Sequence, residues 1–246
     1  MEKISPILYK KQYIGHARYQ APYPENSILL YRHLVKKIGY EIVECDVVFT
    51  EDRIPVLHHG VEGIFYKKTE LFEININHIS LKELETYSLC LNDYIKITTL
   101  EELFCFLFKY NICVMLDLTF QKYTFSHLKM IYSLVCKYRM KERTIWGDAN
   151  VFKLALIDRH LICQVGGSWG RKMLALCVFK SFFCKQLIMS YSYYGGNVAT
   201  YERIVRWGHK MGFILKVATV NDLVVAKRFW DIGTDLINTD ILMNKA

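Results

Sequence analysis

Eight short apolar runs alternate with amphipathic stretches along these 246 residues, and that alternation restricts the fold more than any other feature. The runs are "QYIGH" from Gln12, "EIVECDVV" from Glu41, "ICVMLDL" from Ile112, "RTIWG" from Arg143, "HLICQVG" from His160, "QLIMSY" from Gln186, "GFILKVATV" from Gly212 and "TDLINTD" from Thr234. Each has the length and the Val/Ile content of a strand. Between them the spacing turns helical. "NSILLYRHLVKKIG" carries Ile28, Leu29, Val35 and Ile38 and stops at Gly39, and "TFSHLKMIYSLVCKY" carries Leu128, Ile131, Val135 and Tyr138 on one stripe. "ISLKELETY" and "TTLEELFCFLFKY" open on a capping residue followed by acidic residues, which suits the positive end of a helix. "DANVFKLALIDR", the region from Trp169 to Cys184, "VATYERIVRWGHKM" and "NDLVVAKRFWDIG" complete the helical set. Eight βα units in a chain of about 250 residues predict a (β/α)₈ TIM barrel, one domain over residues 1–246. An open doubly wound sheet is the runner-up, but it needs a G-x-G-x-x-G after the first strand, and none stands there.

Composition narrows the setting. At 52% hydrophobic residues the chain has ample material for a core. The net charge of +8 comes from scattered Lys and Arg without a long basic run, which argues against nucleic acid as a partner. The eight cysteines form no Cys-x-x-Cys pair, and Cys45, Cys105, Cys113 and Cys136 lie inside apolar segments, as reduced cysteines do. The apolar patch in "MEKISPILYKKQY" is too short for a signal peptide, and nothing approaches the ~18 uninterrupted apolar residues of a span. The expectation is a soluble, cytoplasmic protein without stable membrane insertion; the oligomeric state is not set by the sequence.

The second run breaks the rule that buried strands are apolar. In "YEIVECDVVFTEDRIPVLHHG", Glu44 and Asp46 are two apart and share one face, while Val43, Cys45 and Val47 take the other. Two neighbouring buried carboxylates repel, and a cation removes that cost. "IPVLHH" reads as a short strand joined to this one by the polar turn Thr50 to Arg53. In a barrel of this kind, functional side chains gather where strands end. Those ends carry His16, Glu44 with Asp46, Asp117, and Thr239 with Asp240. Glu44, Asp46 and Asp117 are then an all-oxygen ligand set suited to Mg²⁺ or Ca²⁺. His16 and the His58/His59 pair flank it, an arrangement suited to acid–base chemistry at phosphorus. His58 faces away from His59 and is expected to be structural. Trp146, Trp169 and Trp207 are expected to pack, Asp240 to cap the barrel end, and Tyr191, Tyr193 and Tyr194 to line a pocket or face solvent.

"IGHARYQAPYPENS", "ECDV", "PVLHHG" and "TVND…GTDLINTD" together resemble the motifs of the glycerophosphodiester phosphodiesterase family, in the family's order, from about Ile14 to Asp240. That family follows His-Arg-Gly with Glu-Asn, then Glu-x-Asp, then His-Asp. The resemblance implies a barrel with a small insertion after the second strand, here about residues 60–78. It implies a divalent metal ion and a small-molecule phosphodiester substrate, hydrolysed to glycerol phosphate and an alcohol. His16 and His59 carry over as the catalytic pair, Glu44, Asp46 and Asp117 as metal ligands, and Glu25 and Asn26 as the Glu-Asn beside the site. The chain departs from the pattern at Ala17, Gly60, Asp117, Thr119 and Ala218, where the family has Arg, Asp, Glu, Lys and Trp. Losing the Arg and the Lys removes two cations that would meet a phosphate. Lys216 is expected to replace them, since it lies two residues before Ala218 and so faces the barrel interior with it; Arg18 is expected to swing into the room beside Ala17. The rival readings are a phospho-ligand-binding pseudoenzyme and a phosphodiesterase acting on lysophospholipid or surface-polymer fragments.

Overall fold

The computed structural model describes residues 11–18, 22–147, 150–166, 177–193, 195 and 197–241. Its strands, in chain order, are β1 (Gln12–Gly15), β2 (Ile42–Phe49), β3 (Pro55–Leu57), β4 (Glu62–Lys67), β5 (Glu70–Asn75), β6 (Cys113–Asp117), β7 (Thr144–Gly147), β8 (Ile162–Val165), β9 (Gln186–Ser192), β10 (Ile214–Ala218) and β11 (Leu236–Thr239). Neighbouring parallel pairs run β1, β2, β6, β7, β8, β9, β10, β11 and return to β1, where Gln12 pairs with Leu236 on one side and Gly15 with Val43 on the other. The sheet therefore closes into the expected eight-stranded parallel barrel. β3 lies antiparallel to the end of β2, joined through the turn at Thr50 to Arg53. Residues 60–78 hold the antiparallel β4–β5 hairpin and a short 3₁₀ turn at Ile76–His78.

Side-chain alternation explains how these strands fill two cores at once. One set of positions points inward and makes a layer of Ile14, Ile42, Cys113, Met115, Ile145, Ile162, Ile188, Ile214 and Leu236, all buried. The intervening positions, such as Val43, Leu116, Trp146, Leu187 and Val217, pack outward against Leu103, Phe104, Leu128, Ile131, Val205 and Phe229. The helices supplying that outer layer are Leu100–Tyr110, Phe125–Lys137, Ala199–Lys210 and Leu223–Asp231, with Val151–Ile157 beside them. Their starts follow from capping. Thr99, Thr124, Asn150 and Asp222 each accept a backbone N–H of the first turn, which satisfies an otherwise orphaned donor.

Two local expectations need correcting. Ile28–His33 is α-helical, but the next residues, Leu34–Ile38, widen into a π turn before Gly39 ends it in the left-handed region (φ 80°). Leu30, Tyr31 and Leu34 are fully buried on this segment, and Ile28, Val35 and Ile38 pack partly buried against the same core. Tyr191 does not reach a pocket. It points outward from β9, stacks on Tyr201 at 5.1 Å and shares a hydrogen bond with Thr234, while Tyr193 packs edge-on to Phe229. Trp146 is buried and Trp207 packs on Phe213, as expected. Residues 177–181 are helical; Trp169 and Tyr194 lie outside the described residues.

Candidate active site

The inward positions above the isoleucine layer are polar. One step above Ile42, Ile162, Ile188, Ile214 and Leu236, the same parity places Glu44, Gln164, Ser190, Lys216 and Asn238, all buried. The register of β2 on β6 sets Asp46 beside Asp117 and Glu44 beside Met115. As a result, carboxylate oxygens of Glu44, Asp46 and Asp117 all lie within 4.8 Å of one another. These are the residues the spacing predicted, brought together from two adjoining strands.

Each of the three is oriented by a neutral donor. The Ala17 N–H donates to Glu44 Oε2 at 3.0 Å, the Asn26 amide to Asp46 Oδ2 at 2.8 Å, and the Thr119 hydroxyl and N–H to Asp117 Oδ1 at 2.7 and 3.0 Å. Asn26 is itself fixed, its Oδ1 accepting from Tyr31 Oη and from the Asp46 N–H. Neutral donors hold geometry without cancelling charge. Burial and the Glu44 charge therefore push the Asp46 carboxyl up to about 8, with Asn26 opposing the rise. A hard divalent cation is what such an oxygen-only set suits, and the donor chemistry fits one.

His16 sits at the end of β1 between two acids. Its Nδ1 bonds Asp240 and its Nε2 lies 3.4 Å from Glu44 Oε2. Burial alone lowers its pKa, but Glu44, Asp240 and Asp46 more than reverse that and raise it to about 9. Asp240 does more than cap the barrel end: it is the direct partner of His16, and Asn221 holds its second oxygen at 3.0 Å. His59 is a contrast. It lies over the Phe120 ring at 4.4 Å, and burial, Arg18 and His16 lower its pKa against the pull of Glu25 and Glu44. His58 turns the other way, onto Phe65, with Nδ1 on the Gly60 carbonyl at 2.8 Å. Gly60 itself has φ 100°, a backbone conformation that glycine adopts freely and an aspartate does not.

Lys216 points inward. Its ammonium donates to Gln164 Oε1 at 2.9 Å and approaches Met115 Sδ at 3.1 Å, and it lines one cavity of about 310 Å³ with His16, Glu44 and Asp117. Arg18 does not fill room beside Ala17. Ala17 is fully buried, while Arg18 is exposed and pairs with Glu25 at 3.3 Å. Glu25 thus meets Arg18 rather than the carboxylate cluster, whereas Asn26 contacts the cluster directly. Sequence reasoning missed Gln164, Ser190, Ser192 and Asn238 on the cavity wall. Their parity with Ile162, Ile188 and Leu236 was the available signal.

The family model for the glycerophosphoryl diester phosphodiesterase family matches residues 16–154, which include His16, Glu44, Asp46, His59 and Asp117. Among solved structures, a glycerophosphoryl diester phosphodiesterase from Parabacteroides distasonis superposes with a TM-score of 0.74 at 12% identity, covering 98% of this chain and 90% of its own. A glycerophosphodiester phosphodiesterase from Agrobacterium tumefaciens gives 0.73 at 16%, covering 94% and 96%. A phosphodiesterase from Oleispira antarctica, solved with the product sn-glycerol-3-phosphate, gives 0.70 at 19%, covering 93% and 92%. No curated protein matches the sequence.

Proposed function

The chain belongs to the glycerophosphoryl diester phosphodiesterase family, and from that membership we propose that it hydrolyses glycerophosphodiesters to glycerol phosphate and an alcohol, using a divalent cation and two histidines. The observation that carries this reading is the convergence of Glu44, Asp46 and Asp117 within 4.8 Å, directly beside His16. These three carboxylates would hold Mg²⁺ or Ca²⁺. The cation would supply positive charge to the phosphoryl oxygens as negative charge builds on them.

The protein's own groups do the rest. The settings of the two imidazoles differ, and that difference supports different roles. His16 keeps its Asp240 partner at Nδ1 when a cation takes Glu44, and with Nε2 toward the cavity it suits protonation of the leaving alkoxide. His59, held toward the neutral form, suits removal of the proton from the attacking hydroxyl, which lies next to the phosphoester in the substrate; the P–O bond to the alcohol breaks as the new one forms, and water then opens the resulting cyclic phosphate to glycerol phosphate. Asp240 orients the His16 ring through Nδ1 and so aims Nε2 at the cavity. Lys216, on the same cavity, supports a contact to the anionic substrate where the family's Arg and Lys are replaced by Ala17 and Thr119. Arg18 and Glu25 are assigned to the surface beside His59. No helix among the described residues is long and apolar enough to cross a membrane. The eight cysteines are free of disulfides, which supports a reducing compartment such as the cytoplasm.

The test is release of glycerol phosphate from a panel of glycerophosphodiesters with Mg²⁺ or Ca²⁺, with and without chelator. Turnover that is lost with chelator and with His59→Ala is expected. Metal binding without turnover of any diester would overturn the hydrolytic reading in favour of a binding protein.

A further inference from the structure

The eight barrel strands are parallel, so every helix returns the chain to the same end of the barrel, the end where strands begin. Several of these helices close on cations, which suits the negative end of a helix, and the fold thereby gathers charges that the sequence scatters. Lys36 and Lys37 stand there before β2, Lys109 before β6, Arg139 and Arg143 before β7, Arg159 before β8 and Lys210 before β10. None of these makes an ion pair among the described residues. Acids of the same end are already taken, Glu142 by Lys185, Asp158 by Lys141 and Asp235 by His209, which leaves Glu41 and Asp231. This end also exposes large apolar side chains: Phe108 (47%), Leu156 (79%), Phe182 (72%) and Met211 (43%). They come from four different connections, and each has a cation within three residues, Lys109, Arg159, Lys185 and Lys210. We propose that this end of the barrel docks on an anionic lipid surface, its apolar side chains entering the interface and its cations meeting the headgroups.

The helix dipoles account for the cations but not for the apolar side chains between them. Exposed apolar groups ringed by Lys and Arg are the composition that holds a protein on an anionic bilayer. The connections lie side by side, so the surface is continuous. The Arg143 guanidinium stands over the Phe108 ring at 5.8 Å, Lys185 reaches from before β9 to Glu142 before β7, and the Gln186 amide donates to the Gly212 carbonyl, beside Met211, at 3.0 Å. Phe152, Phe179 and Phe183 pack on one another at 4.8–5.7 Å and carry the apolar strip on from Leu156 and Phe182. Charge decides the occupant. A second copy of this chain would bring like cations together, and a nucleic acid offers Leu156 and Met211 no apolar partner. The opposite end of the barrel carries Glu44, Asp46, Asp117 and Asp240, so the molecule is polarised. An anionic surface therefore draws in the cationic end and leaves the mouth of the active site open to water. The inference does not depend on which reaction runs there.

The experiment is co-sedimentation of the full chain with vesicles of phosphatidylcholine alone and of phosphatidylcholine with about one third phosphatidylglycerol. Binding to the anionic vesicles alone is expected, falling at least about tenfold between roughly 0.1 M and 0.5 M NaCl. Lys109→Ala with Arg159→Ala, and separately Leu156→Ser with Phe182→Ser, each lower the partition coefficient at least about tenfold, with folding confirmed by circular dichroism. No binding to anionic vesicles at the lower salt overturns the proposal, as does equal binding to neutral vesicles or an unchanged partition coefficient in either folded variant. Binding of single-stranded RNA without binding of vesicles assigns the face to nucleic acid. A dimer abolished by Leu156→Ser with Phe182→Ser, again without vesicle binding, assigns it to a second copy; either result overturns the lipid surface.

Discussion

Asp46→Asn is expected to make the metal-free protein more stable while destroying its use for a cation. Asp46 is 2% exposed and shares a 4.8 Å cluster with Glu44 and Asp117. At that separation and an effective dielectric of about 20, one pair of carboxylates repels by about 3 kcal/mol. His16, cationic at neutral pH, offsets part of this, so a net gain of about 1–3 kcal/mol is the reasonable expectation. The pH dependence follows from the raised carboxyl. Burial first, then Glu44, lifts Asp46 from 3.8 to about 8. Over that window the folded protein holds a proton that the unfolded chain has released. The associated stability is full below about pH 4 and is lost as pH rises through about 8. The assay is thermal melting in chelator at pH 8.5 and at pH 5. For a chain of this size, Asp46→Asn is expected to raise Tm by roughly 2–10 °C at pH 8.5 and by much less at pH 5. Added Mg²⁺ or Ca²⁺ then stabilises the unmodified protein and leaves the variant nearly unmoved. A folded variant that melts at or below the unmodified protein in chelator at pH 8.5 would refute the reasoning, because the three acids would not be strained without a cation.

Other outcomes follow from neighbouring contacts. Asp240→Asn removes a group that raises the His16 pKa, so that pKa should fall in an NMR titration of the metal-free protein, and kcat should drop by about 10–100-fold. Thr119→Val removes the hydroxyl that orients Asp117 and should weaken metal binding by about tenfold in calorimetry. Ile145→Ala opens a hole in the buried layer beneath the site and should cost about 2–5 kcal/mol in denaturant unfolding with little change in m.

The barrel could be read from the chain because its strands serve two cores. Where Val43, Cys45 and Val47 face outward and Ile42 faces inward, the pattern breaks only at Glu44 and Asp46, and the break marks the site. The same parity made Lys216 visible as an inward cation. Other features depended on distance in space. Asp240 could be placed at a strand end, but its bond to His16 links residues 224 positions apart and follows from barrel closure. Asn26 matched a motif, yet its double hold on Asp46 depends on a left-handed backbone (φ 56°) that no periodicity shows. The π turn at Leu34–Ile38 left no mark in the pattern, because Ile28, Val35 and Ile38 still pack against the core on either side of its start. Arg18 was expected inside because Ala17 is small, but Glu25 offered it a partner at the surface.

The most direct test is anomalous diffraction from crystals soaked in Mn²⁺ and glycerol 3-phosphate. The account predicts one strong peak about 2.0–2.6 Å from oxygens of Glu44, Asp46 and Asp117, with the phosphate against it between His16 and His59. A peak bound elsewhere, or a phosphate seated away from both imidazoles, would contradict it.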